Sequence, residues 1–123
     1  MVDYFWDSYA VIELIDGNHN YAKYSQEPVI ITIFNLVEIY WFAINEYDKA
    51  IANEIYEKYK LAVSEIDDEI IKEAIKFRKK VYKTKKISYT DAIGYTYAIK
   101  NNLKFLTGDK EFAGLDNVEF VSK

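Results

Sequence analysis

Strand-length apolar runs alternate with helix-length amphipathic segments along this chain, and no other feature limits its fold as strongly. Consecutive parallel strands need a long crossover, usually a helix, so this alternation points to a sheet wrapped by helices. Val2–Trp6 reads as the first strand. Asp7 then reads as the cap of a helix whose Ala10, Val11, Leu14 and Ile15 share one face, and Asp16-Gly17 ends it. Tyr21–Ser25 has no clear pattern. Val29–Ile33, continuous and β-branched after Pro28, predicts a buried strand. Leu36, Val37, Tyr40, Trp41 and Ile44 give helical spacing over 34–46. A second amphipathic helix over Asp48–Tyr59 is either continuous with it or set off by a kink. Leu61–Ile66 reads as a short strand, Asp67–Tyr82 as a helix, and Ser88–Asn101 as a helix opened by a capping box, Ser88-Tyr-Thr-Asp91. Leu103–Thr107 is a strand, Lys110–Ala113 a single helical turn and Val118–Val121 a last strand. The expected architecture is a three-layer α/β/α sandwich with a central, mainly parallel sheet, one domain over residues 1–123.

Composition removes several chemistries. There are no cysteines and one histidine, so thiolate sites, a Cys nucleophile and a multi-His zinc site within one chain are excluded. Any metal would be held by oxygen ligands, which favours Mg²⁺, Mn²⁺ or Ca²⁺. No basic stretch followed by an apolar one opens the chain. The most apolar run, Val29–Ile44, contains Asn35 and Glu38 and falls short of a membrane span. A soluble cytoplasmic protein with no membrane contact is the expectation. No G-x-G-x-x-G, P-loop or D-x-D phosphotransfer pattern is present, which argues against a nucleotide-binding or phosphoryl-acceptor domain.

Four acids occupy matching topological positions. Asp7 follows the first strand, and Asp109 follows the strand at 103–107. Glu38 lies about one turn into the helix after the second strand. Asp91 lies in the first turn of the helix leading to Leu103. In a parallel sheet the C-terminal ends of strands and the N-terminal ends of helices share one edge, where ligands bind. Singly, Asp7 is explained as an N-cap, Asp91 as a capping-box acid and Asp109 as a turn residue. Glu38, set in LVEIYW, is harder to dismiss. Together they form a carboxylate cluster whose mutual repulsion a divalent cation relieves, and water held by such a cation can be activated as a nucleophile.

The order D-S after the first strand, L-V-E in the next unit, S-Y-T-D-A opening a late helix and L-T-G-D-K-E-F near the C-terminus resembles the PIN-domain family, and within it the small VapC-type toxins. The likeness covers almost the whole chain. It implies a metal-dependent endoribonuclease, with Asp7, Glu38, Asp91 and Asp109 as carboxylates around Mg²⁺ or Mn²⁺. It implies attack of activated water on an RNA phosphodiester, leaving 5′-phosphate and 3′-hydroxyl ends. Thr107 and Ser8 match hydroxyl positions that support the site. Glu111 stands where some members carry a further Asp. A cognate antitoxin and a homodimer are the partners the resemblance implies. The competing reading is a catalytically silent PIN-like module that binds RNA or protein.

The net charge of −4 hides a segregation. Residues 72–86, KEAIKFRKKVYKTKK, hold half of the 16 basic residues against one acid, Glu73. Most of these lysines read as a solvated helix face. Lys85 and Lys86, nearest the Asp91 helix, are the candidates for RNA phosphates. Tyr40, Trp41 and Phe42 are consecutive and cannot all face one core. His19, in GNHN, reads as surface.

Overall fold

The computed structural model describes residues 2–122. Three short strands, β1 (Tyr4–Trp6), β2 (Lys104–Thr107) and β3 (Val118–Phe120), form a sheet in that order. Both pairings are parallel, with Phe5 opposite Phe105 and Leu106 opposite Glu119. Five helices surround them: α1 (Ser8–Ile15), α2 (Ile33–Glu46), α3 (Lys49–Lys60), α4 (Asp68–Val81) and α5 (Tyr89–Lys100). Short 3-10 turns cover His19–Tyr24 and Lys110–Phe112. No helix among the described residues is long and apolar enough to cross a membrane.

Strand alternation produces the layers, because successive side chains leave opposite faces of the sheet. Phe5 and Phe105 point to one face and pack with Ile70 and Ala74 of α4, Ile93 and Tyr95 of α5, and Phe112. Trp6 and Leu106 point to the other, against Ala10 and Val11 of α1, Leu36 and Ile39 of α2, Tyr21, Tyr24 and Tyr59. The result is the expected α/β/α sandwich. Gly94 sets the spacing on the first face. A Cβ there would stand 2.6 Å from the Phe5 ring, so glycine lets α5 lie directly on β1.

Two expected strands shrink. Residues 29–31 remain extended and run beside β1, with the Trp6 amide donating to the Ile30 carbonyl at 3.0 Å. Their own ladder is a single parallel bridge, Ile31 to Val63, in place of strands over 29–33 and 61–66. The reason is local: Thr32 caps α2 and Ile33 begins it, which leaves too few extended residues for a strand. α2 and α3 are separate helices, divided at Tyr47 and restarted by Asp48, whose side chain accepts from the Ile51 amide. Tyr40, Trp41 and Phe42 diverge as their spacing requires. Tyr40 packs edge-on against Tyr56 of α3, Phe42 meets Tyr47, and Trp41 is 67% exposed. His19 is exposed.

Candidate functional site

Asp7 sits one residue beyond β1, its amide extending the ladder by donating to the Leu106 carbonyl at 3.0 Å. It occupies the N-cap position of α1, yet its side chain makes no capping hydrogen bond, which corrects the expectation that it caps the helix. The carboxylate is engaged elsewhere. Thr107 Oγ1 donates to Asp7 Oδ2 at 2.6 Å and also accepts from the Asp109 amide at 3.0 Å. One hydroxyl at the end of β2 thus fixes both strand-end acids. Asp7 is 2% exposed, and among the described residues no basic side chain pairs with it.

The other acids are also held by hydrogen bonds, Glu38 by a residue distant in sequence and Asp91 and Asp109 by near neighbours. Glu38 Oε1 accepts from Ser8 Oγ at 2.6 Å, and Ser8 Oγ in turn accepts from Asn35 Nδ2 at 2.9 Å. Asn35 closes the α2 capping box, its Oδ1 taking the Thr32 amide at 2.9 Å and the Thr32 hydroxyl at 2.8 Å. Asp91 closes the α5 capping box with one oxygen: Oδ2 accepts from the Ser88 amide at 3.2 Å, and its own amide donates to Ser88 Oγ at 3.0 Å. The capping explanation for Asp91 is therefore true, and it accounts for one of the two carboxylate oxygens. Asp109 Oδ1 accepts from the Glu111 amide at 3.0 Å.

Glu111 turns away from these acids. Its carboxylate accepts the Lys86 amide, and its carbonyl accepts Lys85 Nζ at 3.1 Å. The Lys85 ammonium is thereby anchored to the protein, while the Lys86 side chain is left in solvent. Asn35 carried no prediction. Its signal in the sequence is Thr32-Ile-Phe-Asn35, a capping box with Asn in place of Glu or Gln.

Charge couples the acids across the edge. Burial pushes the Asp7 carboxyl well above the usual carboxylate range, and the charges of Asp91, Glu38 and Asp109 push it further, against the Thr107 hydrogen bond. Burial also raises Asp91, opposed by its Ser88 bonds and by a hydrogen bond with Asp7, while Asp109 adds to the rise. Glu38 is raised by burial, held down by Ser8 and Thr90, and raised by Asp91. The four groups share one field, but it is a loose gathering. Among the described residues no group of three His, Cys, Asp or Glu side chains stands in a geometry that could hold a metal ion. Gly108 closes the turn between Thr107 and Asp109. A Cβ there would fall 2.5 Å from the Tyr21 hydroxyl and 2.6 Å from the Val121 carbonyl oxygen, and onto the Tyr9 ring. Close packing, not a left-handed turn, is what requires glycine at this point.

This arrangement defines a class: an α/β/α sandwich with a carboxylate cluster at the C-terminal edge of a parallel sheet. The sequence model of the PIN domain family matches residues 4–118, and the chain belongs to that family. No curated protein sequence is a significant match. Two solved structures share the fold. A chain of a toxin–antitoxin complex from Klebsiella pneumoniae aligns with TM-score 0.71 at 17% identity, covering 95% of this chain and 96% of that one. A chain of VapBC2 from Rickettsia felis, bound to a DNA fragment from its promoter, aligns with TM-score 0.72 at 16% identity, covering 100% and 99%.

Proposed function

We propose that this chain is a divalent-metal-dependent endoribonuclease, the toxin of a toxin–antitoxin pair, acting on RNA in the cytoplasm as a single domain. The observation that carries the reading is Asp7: a carboxylate without a basic partner among the described residues, raised first by burial and further by three other acids, and not used as a cap. A structural acid in that position would be expected to neutralise itself with a cation or a full set of donors. The donor chemistry fits a hard divalent ion, because every candidate ligand is a carboxylate oxygen. Asp7, Asp91 and Asp109 would hold Mg²⁺ or Mn²⁺ directly, and Glu38 directly or through water. Glu111 is left out of this set because its carboxylate is engaged by Lys86. When bound, the ion would relieve the carboxylate repulsion, lower the pKa of water and stabilise charge on a phosphoryl oxygen.

The chain's own residues do the positioning. Thr107 holds Asp7 and the Asp109 backbone in one register. Asn35 and Ser8 orient Glu38 from the opposite side. Ser88 orients Asp91 while capping α5. What supports an antitoxin partner, besides the complexes named for the two structural neighbours, is an apolar stripe on α2. Ile33, Val37, Trp41 and Ile44 are all exposed there. A cavity of about 530 Å³ beside them reaches Ser8 and Glu38. A second copy of the chain is the other occupant proposed for this surface, giving a homodimer.

Calorimetric titration with Mn²⁺, together with cleavage of single-stranded RNA, tests the reading. Wild type is expected to bind and cleave, and Asp91→Asn to fold normally and do neither. Full cleavage by Asp91→Asn would end the assignment. The loose spacing of the acids favours one other reading, the silent binding module. Wild-type protein that neither binds Mn²⁺ nor cleaves would favour it.

A further inference from the structure

The basic segment contains one side chain that is held in place differently from the rest. Arg78, near the end of α4, donates from Nε to the Ile87 carbonyl at 2.8 Å. Its guanidinium carbon lies 4.3 Å from the ring centre of Tyr89. The two contacts fix the plane of the guanidinium. Its terminal nitrogens remain without a carboxylate, since Lys100 alone forms salt bridges among the described residues. Tyr89 is 61% exposed, so one face of its ring carries the arginine and much of the rest meets solvent. Arg78 also lines a cavity of about 340 Å³ with Tyr82, Lys85, Lys86, Ile87 and Ser88. Ser88 is the cap that orients Asp91, so this cationic hollow abuts the acidic edge.

We propose that Arg78 and Tyr89 form the strand-binding corner of this site, where Arg78 takes a backbone phosphate of single-stranded RNA and Tyr89 stacks a neighbouring base. The inference rests on the nuclease reading and specifies where its substrate lies. An acidic centre repels a polyanion, so affinity has to come from cations beside it. A fixed guanidinium offers paired N–H donors to phosphate at less ordering cost than a mobile lysine. An exposed aromatic face accepts any base by stacking. The hollow runs from α4 to Ser88, the residue bonded to Asp91, so a strand held there lies beside the carboxylates.

The test is fluorescence anisotropy with a labelled single-stranded RNA, in EDTA so that binding is read apart from cleavage, across a salt series. Arg78→Ala and Tyr89→Ser are each expected to weaken binding about tenfold. Arg78→Ala should also flatten the slope of log K against log salt by about 0.7, the value for one single-strand phosphate contact. Lys100→Ala removes the same charge from the far end of α5 and should bind like wild type. Because Arg78→Ala also removes the tie to Ile87, Arg78→Lys is measured beside it. That variant keeps the charge and should recover the salt slope but not the full affinity. In Mn²⁺, the corner variants should raise KM and leave kcat unchanged. Wild-type affinity in both Arg78→Ala and Tyr89→Ser would overturn the proposal, as would an equal loss in Lys100→Ala. Binding of polyglutamate in preference to RNA would overturn it too. RNA binding through this corner without Mn²⁺-dependent cleavage would end the nuclease reading and leave the corner standing. Cleavage with unaltered affinity in the variants would do the reverse.

Discussion

The acidic sheet edge, with four acids, and the basic segment at 72–86, with eight basic residues, are built in opposite ways. At the edge, each of the four acids has a dedicated hydrogen-bond partner, and the partners lie at a strand end or at the start of a helix or helical turn. Along the basic segment most lysines are exposed, and among the described residues only Lys85 ties its ammonium to the protein. The edge therefore stores geometry, and the segment supplies charge with little geometry. Buried like charges that a fold keeps together need an outside counter-charge, whereas exposed lysines are satisfied by water and salt. On the proposed reading the chemistry belongs to the edge, and the segment has at most an electrostatic role except at Arg78.

The strongest way to break this contrast is to remove an acid. Asp7→Asn and Asp91→Asn should each reduce metal-dependent RNA cleavage about a thousandfold, the scale of several kcal/mol of lost charge stabilisation. Circular dichroism should show the fold unchanged. The next step down is to keep the acids and remove what orients them. Thr107→Val frees Asp7 and the Asp109 amide, and Ser8→Ala frees Glu38. Each should reduce activity or Mn²⁺ affinity about 10–100-fold, as loss of an outer-shell partner does. If Thr107→Val is as active as wild type, the edge is no better organised than the lysines, and the contrast fails.

Much of this edge could be read from the sequence because its positions are tied to local signals. Ser88 and Asp91 announce a helix start, and the capping box has the expected register. Asp109 follows an apolar run that is in fact β2. The resemblance to the PIN-domain family rests on the same ordered acids, and the family match over residues 4–118 bears it out. What could not be read was orientation. Asp7 stands where a cap belongs, and only the tertiary neighbour Thr107, 100 residues away, decides that its side chain points elsewhere. Val29–Ile33 looks like a strand by composition, but the capping box of Thr32 and Asn35 converts its last residues to helix. α2 is apolar on several faces, so its periodicity did not show that Val37 and Trp41 would be left outside while Leu36 and Ile39 are buried. Arg78 was one of eight basic residues in its run. Its contacts to Ile87 and Tyr89 depend on how the loop after α4 folds back.

A pH series sharpens the contrast without touching activity. Asp7 holds its proton more tightly in the folded chain than in the unfolded one. Below the ordinary Asp range, near about 3.9, both states are protonated and the group has no effect on stability. As pH rises from there through the raised folded value, the unfolded state loses its proton first, and metal-free protein loses stability. The loss is up to about 1.4 kcal/mol per pH unit, on the order of 3–6 °C in Tm for a chain of this size. Thermal melts in EDTA should show the decline in wild type and a flatter profile in Asp7→Asn. Mn²⁺ should restore wild type more than the variant. Equal profiles for the two proteins would mean that Asp7 is not the strained member of the edge.

The smallest effect is expected on the basic side, away from Arg78. Lys72 and Lys76 lie on the exposed part of α4. The double variant Lys72→Ala, Lys76→Ala should change stability by no more than about 0.5 kcal/mol, as surface substitutions usually do. Its RNA affinity should fall less than about threefold, since solvated lysines contribute through a screened field and not through a fixed contact. Arg78→Ala, removing one charge instead of two, should lose more. That ordering separates position from charge number. If the double lysine variant loses as much as Arg78→Ala, the whole helix face is the phosphate path, and the basic segment acts by its summed charge.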